Sequence, residues 1–399
     1  MGSRDAVLPW AELIDPAAAR LLEATGWARP EPSAYPTGDD WIQSYLAPLA
    51  AALGDRVRLG ARVVGVARRG CDRVVDAGRD TEPLTVHVRT DRGEERIEAD
   101  ALVDASGTWG SPNPLGADGL PAVGERDAGD RIVRQTPDLL DPVVRARYAG
   151  RRVAVAGAGH SALTAIVALS RLADEEPGSE VVWLLRRGTA VGVFGGGEAD
   201  QLPARGALGK RAKEAVRLGR VEVRTGFRVS AVRSSTASGR LELLPDGGGE
   251  PVEADEVLAL TGFRPDLSWL SELRIELDPT LPAPSALAPL IDPNVHSCGT
   301  VYPHGAAELS HPEPGVFLVG MKSYGRAPTF LALTGYEQVR SVAAAIAGDH
   351  EAAARVDLTL PETGVCGGSG GFGDTSDDAG CCAPAEPVLL TVSSFGTGP

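Results

Sequence analysis

The sequence predicts an α/β fold, and three observations carry that expectation. Short apolar strands alternate with helical patterns through most of the 399 residues. A strand running through glycines into a helix stands in the middle of the chain, VAVAGAGHSA from Val153 to Ala162. A second apolar strand, EVVWLL from Glu180 to Leu185, follows that helix, as a parallel βαβ crossover requires.

The elements then follow in order. Residues 1–36 are rich in proline, with a short helical pattern at Ala17–Thr25. A helix is expected next, capped by Thr37 or Asp39, with Trp41, Ile42, Tyr45, Leu46 and Leu49 as its apolar stripe. Strands are expected near Val57 (VRLG), at Val63–Ala67, from Leu84 (LTVHVRT) and up to Ser106 (ADALVDAS). A Gly/Pro-rich link leads to the central unit near Arg151. After a glycine-rich loop at Gly192–Gly197 come a helix at Leu208–Leu218 and strands at Val221–Val223, Val229–Val232 and Glu256–Leu260. GVFLVG (Gly315–Gly320) is a further strand, and a long helix is expected from Pro328 to Ala347. From Leu360 onward Gly, Ser and Asp dominate, which predicts a disordered tail.

The central turn carries the chemistry. Gly157 permits a tight turn, Gly159 removes a side chain that would keep a pyrophosphate from the first helical N–H groups, and Ala162 lets the helix lie close on the strand. His160 and Ser161 complete the turn, Ser161 adding a hydroxyl, while Leu163, Ile166, Val167 and Leu169 form the inward face of the helix. Arg186 and Arg187 end the next strand, where the adenosine ribose of a dinucleotide would lie. A guanidinium forks onto a 2′-phosphate, so the pair favours NADPH over NADH; the alternative is a solvated basic strand end. Glu175 and Glu176 precede that strand and read as a solvated loop.

Composition excludes several classes. With 43% hydrophobic and 23% charged residues the chain can build two α/β domains and is neither collagenous nor wholly disordered. A net charge of −15 argues against nucleic-acid or anionic-membrane partners. The N-terminus shows no secretion signal and no apolar run approaches a membrane span, so a cytoplasmic location is expected. LPETG at Leu360–Gly364 reads as coincidence for the same reason. Five cysteines make no disulfide framework: Cys71 and Cys298 are expected reduced, and Cys366, Cys381 and Cys382 lie in the tail. His296, Cys298, His304 and His311 crowd one loop without zinc-site spacing, so an ordered proline-rich loop is preferred to a metal site. Cys298 remains a candidate substrate-facing group.

Five segments together resemble the two-dinucleotide-fold flavoproteins, the flavin-containing monooxygenase-like and predicted cation- or arsenic-associated group related to thioredoxin reductase. They are Asp104–Gly116, Arg151–Leu163, Ala259–Leu267, Ile291–Gly305 and Gly315–Ser341. The resemblance implies an FAD/NAD(P)-binding Rossmann-like three-layer domain inserted in a second one, with NADPH and FAD as cofactors and hydride passing from NADPH to FAD and then to oxygen or another acceptor. It implies domains at 1–125 (first half of the FAD-type domain), 126–265 (NADPH-binding), 266–358 (the rest of the FAD-type domain) and a tail at 359–399. Gly107, Thr108 and Gly262 would lie at the crossings between domains, and Gly320 and Met321 near the flavin ribityl chain. Met321 stands where related disulfide reductases carry Asp, which puts the ribityl hydrogen bond in question.

The family's own N-terminal strand, G-x-G-x-x-G turn and helix have no counterpart before Trp10, so the FAD-type domain is expected to be truncated. A longer reading frame, a partner chain supplying the unit, or gene decay would each account for this. Three functional expectations follow: an NADPH-dependent flavin oxidoreductase of monooxygenase type, a non-catalytic or partner-dependent NADPH-binding module, or a metalloid-handling flavoprotein using the tail cysteines, as mercury- and arsenic-handling relatives do. The tail cysteines could equally be incidental. No catalytic side chain and no metal ligands stand out.

Overall fold

The computed structural model describes residues 8–190, 192–200, 202–295, 304–328 and 330–355. The chain opens with helices α1 (Trp10–Leu13) and α2 (Pro16–Glu23); α2 is capped by Asp15, whose carboxylate accepts the Ala18 amide at 2.8 Å, with proline at its first position. Helix α3 (Gly38–Trp41) starts at a capping box between Thr37 and Asp40, then passes through a π turn at Ile42–Leu46 into α4 (Ala47–Leu53). That turn inserts an extra residue into the helical register. Of the expected apolar stripe, therefore, Tyr45 is buried while Ile42 and Leu46 face solvent. No strand forms near Val57: a 3-10 turn at Gly54–Arg56 leads into a turn where Gly60 has φ +65° and Leu59 is exposed.

Strands β1 (Arg62–Arg68), β2 (Leu84–Thr90) and β3 (Gly93–Ala99) form an antiparallel sheet, followed by β4 (Leu102–Asp104). Strand β3, GEERIEA, has no buried residue, so it carries no apolar alternation for the sequence to reveal. Next come β5 (Ile132–Val133), α5 (Pro142–Tyr148), β6 (Arg152–Ala156), α6 (His160–Glu175) and β7 (Glu180–Leu184). Helix α7 (Pro203–Arg217), β8 (Glu222–Arg224), β9 (Val229–Ser234), β10 (Leu241–Pro245), β11 (Val252–Ala254) and β12 (Glu256–Ala259) complete the central region. The chain then forms α8 (Ala288–Ile291), α9 (Ala306–Leu309), β13 (Val316–Leu318), α10 (Ala332–Ile346) and α11 (His350–Ala354). Helix α10 begins at Ala332, four residues later than expected, because Leu331 before it is extended, with φ −119° and ψ 154°.

The α/β class holds, and the central region is three-layered. Strands β5-β12-β6-β7-β8 lie in that order, all parallel. Val153, Val155, Val181 and Trp183 face α6 and α7, packing on Leu163, Ile166, Leu208 and Ala212. The alternate residues Ala154, Ala156, Val182 and Leu184 face Val232, Leu241, Leu243 and Val252 of the antiparallel β9–β10–β11 sheet. This period-two alternation, apolar on both faces, is what a covered parallel sheet demands. Outside the central region, β4 and β13 pair in parallel, and among the described residues they have no third strand. Leu202, just before α7, packs with Leu8 and Leu13 against Trp41, Leu331 and Ala332, joining the central region to α1, α3 and the start of α10.

Glu175 closes α6 rather than lying in a loop, and Glu175 and Glu176 both accept hydrogen bonds from Arg145. His296, Cys298, Cys366, Cys381, Cys382 and the LPETG segment lie outside the described residues.

Candidate functional site

The two glycines of the central turn are glycine for different reasons. Gly157 has φ +132°, and a Cβ there would stand 2.2 Å from the Leu260 carbonyl oxygen, so the close approach of the chain after β12 demands it. Gly159 has φ −87° and its Cβ would meet nothing within 4 Å. The protein's own packing does not require glycine there, and the space over it is open. Gly159 is the N-cap of the 16-residue α6 and gives it no side-chain cap, so the positive end of the helix faces that space. His160 opens the helix, the Ser161 carbonyl accepts the Thr136 hydroxyl at 3.4 Å, and Ala162 is fully buried beneath Gly157.

Arg186 and Arg187 follow the C-terminal end of β7, beside that turn. Arg186 is exposed and donates to the Ala117 carbonyl at 3.2 Å; Arg187 is half-buried, its carbonyl accepting the Gly226 amide at 2.6 Å. Glu175 and Glu176 lie where α6 ends, toward the N-terminal ends of the strands and away from the glycine turn.

The two crossings between the central region and its flanks are zipped together. Asn113 donates from its side chain to the Thr261 carbonyl (2.9 Å) and from its amide to the Gly262 carbonyl (2.9 Å), and its own carbonyl accepts the Thr261 hydroxyl (3.0 Å). Arg264 adds donations to the Asn113 side chain and the Gly119 carbonyl. Gly107 and Gly262 hold φ of +68° and +90°, and Thr108 is buried beside the first crossing.

At the C-terminal ends of β4 and β13, Lys322 is buried with its ammonium 2.7 Å from Asp104, 2.9 Å from the Ser106 hydroxyl and 4.9 Å above the Trp269 ring. Gly320 (φ +67°, open space around a would-be Cβ) donates its amide to Gln338 of α10 at 2.7 Å. Gln338 in turn meets His304 and Ser323, each at 2.9 Å, so His304 is part of a buried polar core. Met321 is partly exposed. Among the described residues no group of three His, Cys, Asp or Glu could hold a metal ion, and no helix is long and apolar enough to cross a membrane.

Residues 48–302 match the family described as pyridine nucleotide-disulphide oxidoreductase. The chain belongs to that family. A curated relative, the ferredoxin–NADP reductase of Gluconacetobacter diazotrophicus, is 30% identical over 238 residues, covering 56% of this chain and 60% of that protein; the chain thus spans under two thirds of that relative's length. The bacillithiol disulfide reductase of Bacillus cereus superposes with a TM-score of 0.57 at 18% identity, over 81% of this chain and 80% of that one. The FAD-bound cadaverine monooxygenase of Erwinia amylovora gives 0.57 at 14% identity, over 90% and 88%. The ornithine N-hydroxylase of Kutzneria sp. 744 gives 0.54 at 15%, over 86% and 88%. These likenesses establish an oxidoreductase fold of the FAD/NAD(P)-binding type.

Within this family's frame, the open face at Gly159 and the uncapped start of α6 fit a dinucleotide pyrophosphate. A flavin is fitted only in part. Gly107 and Gly320 leave open space at the ends of β4 and β13, and α10 starts at Leu331 without a side-chain cap, but no glycine turn leads that sheet among the described residues. Sequence reasoning missed Asn113, Trp183 and the Asp104–Lys322 pair. Asn113 and Lys322 act through partners more than 100 residues away in sequence, which no local pattern discloses.

Proposed function

We propose that this oxidoreductase binds NADPH at the Gly157–Ala162 turn and, with FAD, works as an NADPH-dependent flavin oxidoreductase of monooxygenase-like type. The observation that carries the reading is the unfilled space over Gly159 at the uncapped head of α6. The amides of that first turn would face the pyrophosphate, and Arg186 and Arg187 would fork onto the 2′-phosphate. When bound, NADPH supplies a hydride and the flavin takes it up. The chain's own part is placement. Asn113 and Arg264 lock the two crossings so that the ends of β6, β7 and β12 keep a fixed distance from those of β4 and β13. The uncapped start of α10 would favour negative charge near Gly320 and Met321. Domain limits at 125/126 and 265/266 belong to this reading.

The test is to titrate the purified 399-residue chain separately with NADPH, NADH and FAD and then follow NADPH absorbance with FAD present. NADPH binding tighter than NADH, a bound-flavin spectrum and NADPH oxidation are expected; absence of NADPH binding overturns the reading. A second reading is a nucleotide-binding module that needs a partner segment to take FAD. It is favoured by the two-stranded β4–β13 sheet and by Val103 of β4, left 39% exposed. It requires NADPH binding with negligible FAD binding.

A further inference from the structure

The indole of Trp183 on β7 is fully buried, and its Nε1–H donates to the Gly157 carbonyl at 2.7 Å. A trans peptide carries its C=O and N–H on opposite sides, so this bond turns the Ala158 amide away from the core. Ala158 and Gly159 are both exposed, so that amide is aimed to the open side of the turn. The indole is itself held in place. Phe194, from the glycine-rich loop, sets its ring at 70° to the Trp183 ring with centroids 5.7 Å apart.

That loop is seated on α7 by two helical glycines. A Cβ on Gly209 would stand 1.8 Å from the Phe194 carbonyl oxygen, and one on Gly206 would stand 2.1 Å from the Gly197 carbonyl oxygen. Glycine weakens a helix interior, so its presence at two positions one turn apart is explained by the close approach of the loop. Asp200 finishes the loop, accepting the Leu202 amide at 2.9 Å and the Arg205 guanidinium at 2.7 Å. A continuous set of contacts thus runs from α7 through Phe194 and Trp183 to the glycine turn.

We propose that Trp183 is a positioning residue for the dinucleotide pyrophosphate, aiming the Ala158 amide at it, and that the Gly192–Gly197 loop holds Trp183 in place through Phe194. This rests on the reading of the turn as the NADPH site. Trp183→Phe keeps a ring in the core and removes the donor. Its affinity for NADP⁺ should fall about three- to tenfold, the worth of one hydrogen bond, while its affinity for adenosine 2′-monophosphate, which lacks the pyrophosphate, should stay at the wild-type value. Phe194→Leu leaves the donor in place and should give a smaller loss of the same selectivity.

Both ligands are titrated into the full wild-type chain and both variants, alongside thermal melts. Equal losses for the two ligands, or an unchanged NADP⁺ affinity in Trp183→Phe, overturn the proposal. If Trp183→Phe does not fold, Phe194→Leu carries the comparison, and an unchanged ratio there overturns it. Failure of the wild-type chain to bind NADP⁺ is a separate outcome that defeats the nucleotide reading itself, and this proposal with it.

Discussion

Replacing each turn glycine by alanine should have opposite consequences, and the pair isolates what the turn is for. At Gly157 the new methyl would lie 2.2 Å from the Leu260 oxygen on a backbone at φ +132°, so the segment after β12 must move and the residue is strained. Overpacking of this kind costs about 1–3 kcal/mol, and the strained backbone adds to it, so we expect a loss of about 2–4 kcal/mol. At Gly159, with φ −87° and no atom within 4 Å, alanine is accepted without strain. Restricting the unfolded chain should then stabilise the protein by about 0.4–1 kcal/mol. The same methyl occupies the space assigned to the pyrophosphate. Losing charge-assisted contacts to the helix amides, each worth about 1.5–3 kcal/mol, should weaken NADPH binding by about ten- to a hundredfold. Thermal melts of Gly159→Ala and the wild-type chain, with and without NADPH, read both effects together. The variant should melt slightly higher alone and lose most of the NADPH-induced rise that binding to the native state gives. A Gly159→Ala protein that binds NADPH like the wild type would refute the assignment of the turn.

Charge reversal at the end of β7, Arg186→Glu with Arg187→Glu, should reduce the preference for NADPH over NADH by about tenfold or more in competition titrations, since each arginine–phosphate contact is charge-assisted. Glu313 is buried, and burial alone would raise its carboxyl; the Arg274 amide with the Arg68 and Arg79 guanidiniums outweighs that and holds it below its usual value. A depressed carboxyl contributes stability above its unfolded pKa and loses it as pH falls through the folded one, so urea midpoints should decline below about pH 4. Glu313→Gln should flatten that acid limb and, by stranding two buried arginines, cost about 3–5 kcal/mol at neutral pH. Lys322→Met strands Asp104 in the same way and should destabilise by about 3–5 kcal/mol, measured by urea unfolding.

The central βαβ unit was legible because its signals are local. Alternating apolar residues in β6 and β7, two glycines two positions apart and the inward face of α6 all lie within one βαβ stretch, where spacing alone sets geometry. Of the two helix caps the sequence offered, Thr37 and Asp39, it is Thr37 that caps the helix. The π turn at Ile42–Leu46 was not legible, since an inserted residue leaves composition unchanged while rotating every later side chain. Strand β3 escaped because a strand with no buried face carries no period-two pattern.

Local spacing was enough for the α/β class and for the residues of the glycine turn. Why Gly157 and Gly159 differ, one pressed by Leu260 more than 100 residues away and the other facing open space, came from the folded packing alone. The same packing set Glu175 and Glu176 at the end of the strands away from the glycine turn, and it made Trp183, read as one more apolar strand residue, a donor to that turn. The Leu260 contact depends on which distant backbone arrives beside Gly157, and the others on how α6 packs on the sheet beside β7, which the layers fix rather than any pattern along the chain.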